Sequence, residues 1–233
     1  MAELKRTVRD LDWFLSRLQS KEPFSFSRWG DGEWKSVLGR QKGHNCDGHY
    51  YTAELSQDLG KVLTAKPRYA LGMQGLAMRL YGPQIIAWLN ERWLGSLEWS
   101  NCDVFHYAVI HGHMQKLLSV LSSREVILIG PRHLAGIGSV KSAFKPRGHI
   151  IVPDKSAHKD KKRIIQDARA TMGLIKNSIV SVCAGMTAEI IVDALHETHG
   201  EDHTIIDFGS LWDPLMGVKS RTYMKSPKLE LGI

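Results

Sequence analysis

The segment Glu125-Val126-Ile127-Leu128-Ile129-Gly130 constrains this chain more than any other, because nothing polar interrupts it from Val126 to Ile129. A surface helix shows polar residues within each turn, and a half-exposed strand alternates. A short, wholly apolar run bounded by turn residues fits a strand covered on both faces, the situation of strands in a parallel sheet. Ser178 to Ala184 and Thr204-Ile205-Ile206-Asp207 repeat the pattern, and His149 to Pro153 reads as a further short strand. Between them lie a basic amphipathic helical pattern over 158–175 and a helix running from the Gly185 turn to about His199. Strand and helix in alternation predict right-handed crossovers and a doubly wound sheet. The expected fold is α/β: a single Rossmann-like domain over residues 1–233, with a mostly parallel sheet flanked by helices. Residues 1–22 form its N-terminal helix and 217–233 a basic C-terminal tail.

The first half reads less sharply. Residues 3–20 carry Leu4, Val8, Leu11, Phe14, Leu15 and Leu18 on one helical stripe. Phe24 to Ser27 alternates as a short strand, and a helix starts near Glu33. Residues 52–64 look helical, Tyr69 to Met73 looks like a buried strand, and 83–94 is helical and rich in tryptophan. Val104 to Ile110 is expected as a strand and 113–122 as a helix. Trp88, Trp93 and Trp99 are expected to pack rather than to stack on a ligand.

Several classes of protein are disfavoured. At 43% hydrophobic the chain has the material for a core, and it lacks the roughly 18-residue apolar run of a membrane span. The N-terminus has no secretory core, so a cytoplasmic location is expected. Cys46, Cys102 and Cys183 form no CxxC pair, which argues against a zinc cluster and for three small hydrophobic residues in a reducing compartment. His111 and His113 lack a third ligand at sensible spacing. The net charge of +7 favours polyanionic partners, with local clusters at His158 to Arg163 and in the tail at Lys219, Arg221, Lys225 and Lys228. As individual residues these lysines read as solvated surface.

In open parallel sheets ligands sit beyond the carboxyl ends of the strands. Four polar or glycine-rich segments follow directly on expected strands: Arg28 to Glu33, Gly130 to His133, Gly185 to Thr187, and Asp207 to Asp213. In the first, Asp31 and Glu33 stand one residue apart in a loop opened by Gly30 and Gly32. Neighbouring carboxylates repel unless a cation lies near them, and hard divalent ions prefer such oxygens. Arg28 adds a fork suited to phosphate. The same residues also suit a helix cap, and the spacing leaves both readings open. Gly185 and Thr187 open a helix where a phosphate could meet free backbone N–H groups, or where Thr187 simply caps the helix. No GK[ST] or GxGxxG signature is present. Asp207, Ser210 and Asp213 follow the last strand, placed for a general base or a hydroxyl anchor, or for a turn held by its own side chains. Arg221 and Tyr223 could fold back over a ligand.

Taken in order, these segments resemble the GT-D type glycosyltransferases, a bacterial and phage-associated family with a single Rossmann-like domain. SRWGDGEW is similar to that family's R-x-G-D-G-E loop, AGMTAEIIVDAL to its G-P-T-A helix start, and IIDFGSLWDPL to its D-x-G-S segment. The helix over 51–63, the strand ending at Gly130 with the following Gly136-Ile137-Gly138, and Val152 to Ala157 extend the likeness. Met186 stands where proline is usual, and residues 72–113 match poorly. The resemblance implies a metal-dependent transfer of a sugar from a nucleotide-sugar, typically UDP-linked. Asp31 and Glu33 would hold Mn2+ or Mg2+. Arg28, Gly30, Gly32, Gly130, Gly185, Thr187, Ser210 and Arg221 would line the donor. Catalytic roles fall to Glu33 and to an acid that orients or deprotonates the acceptor, Asp213 before Asp207. The charge favours DNA bearing hydroxymethylated pyrimidines as acceptor, over a glycan or glycoprotein. A non-catalytic nucleotide- or nucleic-acid-binding module is the reading from another class, and a phosphotransferase is disfavoured by the missing P-loop.

Overall fold

The computed structural model describes every residue except 47, 142, 222, 223 and 225–233. Eight strands form one sheet: β1 (Leu4–Arg6), β2 (Ser25–Trp29), β3 (Ala70–Met73), β4 (Leu97–Asn101), β5 (Val126–Pro131), β6 (Pro146–Val152), β7 (Ile179–Val182) and β8 (Thr204–Asp207). Their order is β1-β4-β3-β2-β8-β7-β5-β6, and every pair is parallel. The helices are α1 (Leu11–Ser20), α2 (Asp31–Val37), α3 (Ala53–Thr64), α4 (Gly75–Glu91), α5 (Val104–Ile110), α6 (Met114–Ser122), α7 (Lys161–Met172) and α8 (Ala188–His199). This is the expected doubly wound α/β architecture. Among the described residues no helix is long and apolar enough to cross a membrane.

The apolar run that leads the sequence is explained by its two coverings. Val126 and Leu128 join Phe14, Leu18, Leu117 and Phe144 on one face. Ile127 and Ile129 join Ile164, Ala168 and Ile191 on the other. Ile206 and Ile205 of β8 divide in the same way. Each such side chain, fully buried, contributes roughly 1.5–3 kcal/mol. A third cluster packs Trp29, Trp34, Leu59, Met73 and Trp88 beneath α2, α3 and α4.

Several expectations are corrected. The helix foreseen over residues 3–20 is a strand followed by a helix. Leu4–Arg6 pairs with Leu97–Asn101, and α1 begins only after Asp10, whose side chain accepts from the Trp13 N–H at 2.9 Å. Val8, assigned to the buried stripe, is 78% exposed. Val104–Ile110, expected as a strand, is helix α5. Its buried residues Phe105, Ala108 and Val109 are spaced by three and four, the helical interval, which a seven-residue apolar stretch hides. The helix expected over 83–94 starts at Gly75 and carries Pro83 inside it. Trp93, beyond its end, is 90% exposed, whereas Trp88 is buried as expected. The basic helix is shorter than foreseen, a 3₁₀ turn over Ala157–Asp160 leading into α7.

Candidate active site

The segments after β2, β3, β4, β7 and β8 converge on one cavity of about 230 Å3 at the carboxyl edge of the sheet. Asp31, Glu33, Asp103, Glu189 and Asp207 line it, together with Arg28, His106 and Arg221. Sequence alone brought Arg28, Asp31, Glu33, Asp207 and Arg221 to this rim, and they meet there. Glu189, Asp103 and His106 were not foreseen.

Asp31 opens α2 and is paired by Lys35, one turn on. Glu33 turns back and accepts a hydrogen bond from the Gly30 N–H at 2.8 Å, so the helix-cap reading holds for this residue. Glu33 is half-buried, and desolvation of its carboxyl pushes its pKa up to about 7 against the backbone bonds, with the charges of Asp207 and Asp31 adding to the rise. Asp207 is pushed up to about 6 by burial, opposed by the Arg28 charge and by the Gly209 N–H that it accepts at 2.8 Å. Glu189, in the first turn of α8, is 1% exposed. Burial and the charges of Glu33 and Asp207 hold it well above the usual carboxylate range, and its Oε2 has no hydrogen-bond partner among the described residues. The carboxyls of Glu33, Asp207 and Glu189 thus stand in a mutually unfavourable field that an added cation would relieve.

The cations present are placed by specific contacts. Arg28 meets His106 Nε2 at 3.2 Å, and His106 Nδ1 lies 3.6 Å from Asp103. Burial lowers the His106 pKa despite Asp103, which suits a neutral ring accepting from the guanidinium. Asp103 is lowered in spite of its burial, through His106. Arg28 passes over Gly209, which has φ +56°; a Cβ there would lie 2.3 Å from Arg28 Nη1. Gly185, with φ +55°, likewise leaves room for the His49 ring, 2.8 Å from where its Cβ would be.

A second cavity, of about 370 Å3, adjoins the first and shares Cys46, Gly185, Gly209 and Arg221 with it. Asp213 and Ser210 line this one. Asp213 is 7% exposed; His133 Nε2 donates to its Oδ1 at 2.9 Å and Ser220 Oγ to its Oδ2. Ser210 Oγ is buried without a partner among the described residues. Thr187 lines a third cavity, of about 670 Å3, with His49, Tyr51 and Lys161. Gly130 lines none of these three cavities and packs beside Leu134 and Cys183, while its carbonyl accepts from His149. Cys102 and Cys183 are buried as expected, but Cys46 is exposed, with Arg221 Nη1 3.6 Å from its sulfur. Tyr223, Lys225 and Lys228 lie outside the described residues.

Among the described residues no three His, Cys, Asp or Glu side chains come together as a metal site. Mg2+ and Mn2+ bound through one or two carboxylates plus substrate phosphates need no such cage. Asp31 and Glu33, with the unpartnered Glu189 oxygen lining the same cavity, fit that mode.

No protein-family model matches the chain, and no curated protein matches it in sequence. Two solved structures do match in fold. One is described as the highly conserved domain of unknown function 1792, with a distinct glycosyltransferase fold; its TM-score is 0.64 at 14% identity, over 99% of this chain and 91% of that one. The other is the selenomethionine-substituted form of domain of unknown function 1792, with a TM-score of 0.64 at 15% identity and the same coverage. The chain therefore has a glycosyltransferase fold, carrying a carboxylate-lined cavity at the carboxyl edge of its sheet. At 14–15% identity, fold is what it shares with domain 1792, in line with the GT-D resemblance.

Proposed function

We propose that this protein is a glycosyltransferase that moves a sugar from a nucleotide-sugar, a UDP-sugar in the first instance, to a hydroxyl acceptor. One observation carries the reading: half-buried Glu33 and the buried carboxyls of Glu189 and Asp207 line a cavity shared with Arg28 and Arg221, in a glycosyltransferase fold. A divalent cation, Mn2+ or Mg2+, held at Asp31 and Glu33 would supply positive charge to the leaving nucleoside diphosphate. Arg28, fixed by His106, holds a phosphate oxygen by charge-assisted hydrogen bonds, and Arg221 approaches from the other wall. Gly30, Gly32, Gly185 and Gly209 line this cavity without side chains of their own, which lets the donor approach the backbone closely. Enclosure excludes water from an oxocarbenium-like centre whose charge these groups stabilise.

For the acceptor, the +7 charge and the exposed Lys159 and Lys162 favour DNA carrying hydroxymethylated pyrimidines. The test is a thermal-shift panel of nucleotide-sugars with and without Mn2+, followed by product analysis with hydroxymethylated DNA and with glycans. A metal-dependent shift by one donor and transfer to DNA that weakens with salt are the expected results. Transfer to glycan alone would reassign the acceptor, and donor binding without turnover would make the chain a binding module.

A further inference from the structure

We propose that His133 takes the proton from the acceptor hydroxyl, that Asp213 is its positioning residue, and that the 370 Å3 cavity holds the acceptor. This rests on the glycosyltransferase reading and deepens it. Asp213, the base suggested by sequence, is buried with both oxygens occupied, one by His133 Nε2 and the other by the Ser220 hydroxyl. A carboxylate so committed orients a neighbour. His133 stands in the 3₁₀ segment Arg132–Ser139 that follows β5, its side chain one-third exposed and lining the cavity. With Nε2–H donated to Asp213, the ring presents its Nδ1 lone pair, which has no protein partner among the described residues. Cys46, His49, Asp154, Cys183 and Arg221 are the other ionisable groups lining the cavity, and His149, which feels the His133 charge, is tied to the Gly130 carbonyl. Ser210 Oγ, buried and unpartnered, lines the same cavity and awaits a polar group.

The position of this cavity supports the role. In a displacement at the anomeric carbon, nucleophile and leaving group take opposite sides. The carboxylates and Arg28 occupy one cavity and the His133–Asp213 pair the next, with Gly185, Gly209 and Arg221 common to both. The acceptor oxygen forms its bond to the anomeric carbon as its proton passes to His133 Nδ1. The bond from the anomeric carbon to the phosphate oxygen breaks, and its electron pair leaves with the nucleoside diphosphate. Asp213 then stabilises the imidazolium.

The experiment first measures donor binding and turnover by the wild type, then compares His133→Ala, His133→Gln and Asp213→Asn. We expect kcat for transfer to fall about 10²–10⁴-fold in the His133 variants. KM and Kd for the donor should hold, and added imidazole should restore turnover to His133→Ala. Asp213→Asn should lower kcat, leave donor KM unchanged and gain little from imidazole. Transfer within about threefold of wild type in a folded His133 variant, or a loss that tracks donor affinity and resists imidazole, would overturn the assignment while leaving the glycosyltransferase reading intact. A wild type that neither binds nor turns over any nucleotide-sugar would remove both.

Discussion

The two rims of the sheet differ in kind. At the amino ends of the strands lies a cavity of about 610 Å3, larger than the carboxylate-lined one, and several of its polar groups are paired. Arg9 pairs with Glu98 at 3.0 Å; Arg9 and Arg17 sit over Trp13 at 5.5 and 5.2 Å; Ser25 Oγ meets His196 at 3.0 Å; and Tyr69 bonds Asp193 at 3.2 Å. At the carboxyl ends, a cavity of about 230 Å3 holds buried carboxyls with displaced pKa values and an unpartnered oxygen. Helix α8 also opens there, its positive dipole end toward the cavity. Volume therefore does not mark the site. Buried charge left uncompensated does, because folding alone does not favour it and a ligand would.

The sharpest way to break this contrast is to truncate a charge on each rim. Arg28→Ala or Asp31→Ala should lower transfer by roughly 10²–10³-fold, the scale for losing one group that stabilises developing charge. Circular dichroism and melting should change little for Asp31→Ala, since Asp31 is half exposed. Arg17→Ala on the amino rim should leave turnover unaltered. Equal losses from the two rims in steady-state assays would abolish the distinction.

The contrast also explains what the sequence could disclose. Strands β5, β7 and β8 were legible because both faces are covered, so an apolar run needs no knowledge of its partners. β1 was not: Leu4–Arg6 is only three residues long and is a strand because Leu97–Asn101 lies beside it. Arg28, Asp31, Glu33 and Asp207 were readable because each sits at or just beyond a strand end. Glu189 was not, because its meaning lies in meeting Glu33 and Asp207 across the fold. The one local hint is an acid in a helical turn otherwise made of Ala188, Ile190, Ile191 and Val192, all buried. Asp103 and His106 were masked by reading their segment as a strand.

A second test isolates the unfavourable charge. Glu33 is held near 7 in the folded protein against about 4.5 unfolded, so between those values the folded state binds more protons. Its contribution to stability therefore falls as pH rises from 4.5 to 7 and stays unfavourable above. Each unit of displacement corresponds to about 1.4 kcal/mol. In metal-free protein, Glu33→Gln should melt higher than wild type at pH 8 and match it near pH 4.5. Taking the difference between the two proteins cancels the histidines, several of which are shifted the opposite way. Mn2+ at pH 8 should shrink the gap by stabilising the wild type alone. Parallel melting curves across this range would show that Glu33 carries no such charge.

Smaller still, Gly209→Ala should cost about 1–2 kcal/mol in unfolding free energy for its left-handed backbone. It should also reduce turnover by displacing the Arg28 guanidinium. Gly217→Ala, also left-handed but with nothing within 4 Å of its Cβ, should show the backbone cost without the loss of turnover.

The smallest effect belongs to the amino rim and sets the scale for the rest. The Arg9–Glu98 pair joins the loop after β1 to β4, but the Glu98 side chain is 60% exposed, so water and salt screen most of the attraction. The Glu98 pKa is lowered by hydrogen bonds from Thr7 and Arg9, which makes its contribution full at neutral pH and lost as pH falls through the acid range. Glu98→Gln should lower stability by less than about 1 kcal/mol at pH 7 in low salt, and by less again in 1 M salt. Denaturant titration under both conditions measures this. A gain in stability instead would mean that the amino rim also stores uncompensated charge, and the asymmetry that locates the site at the other edge would no longer hold.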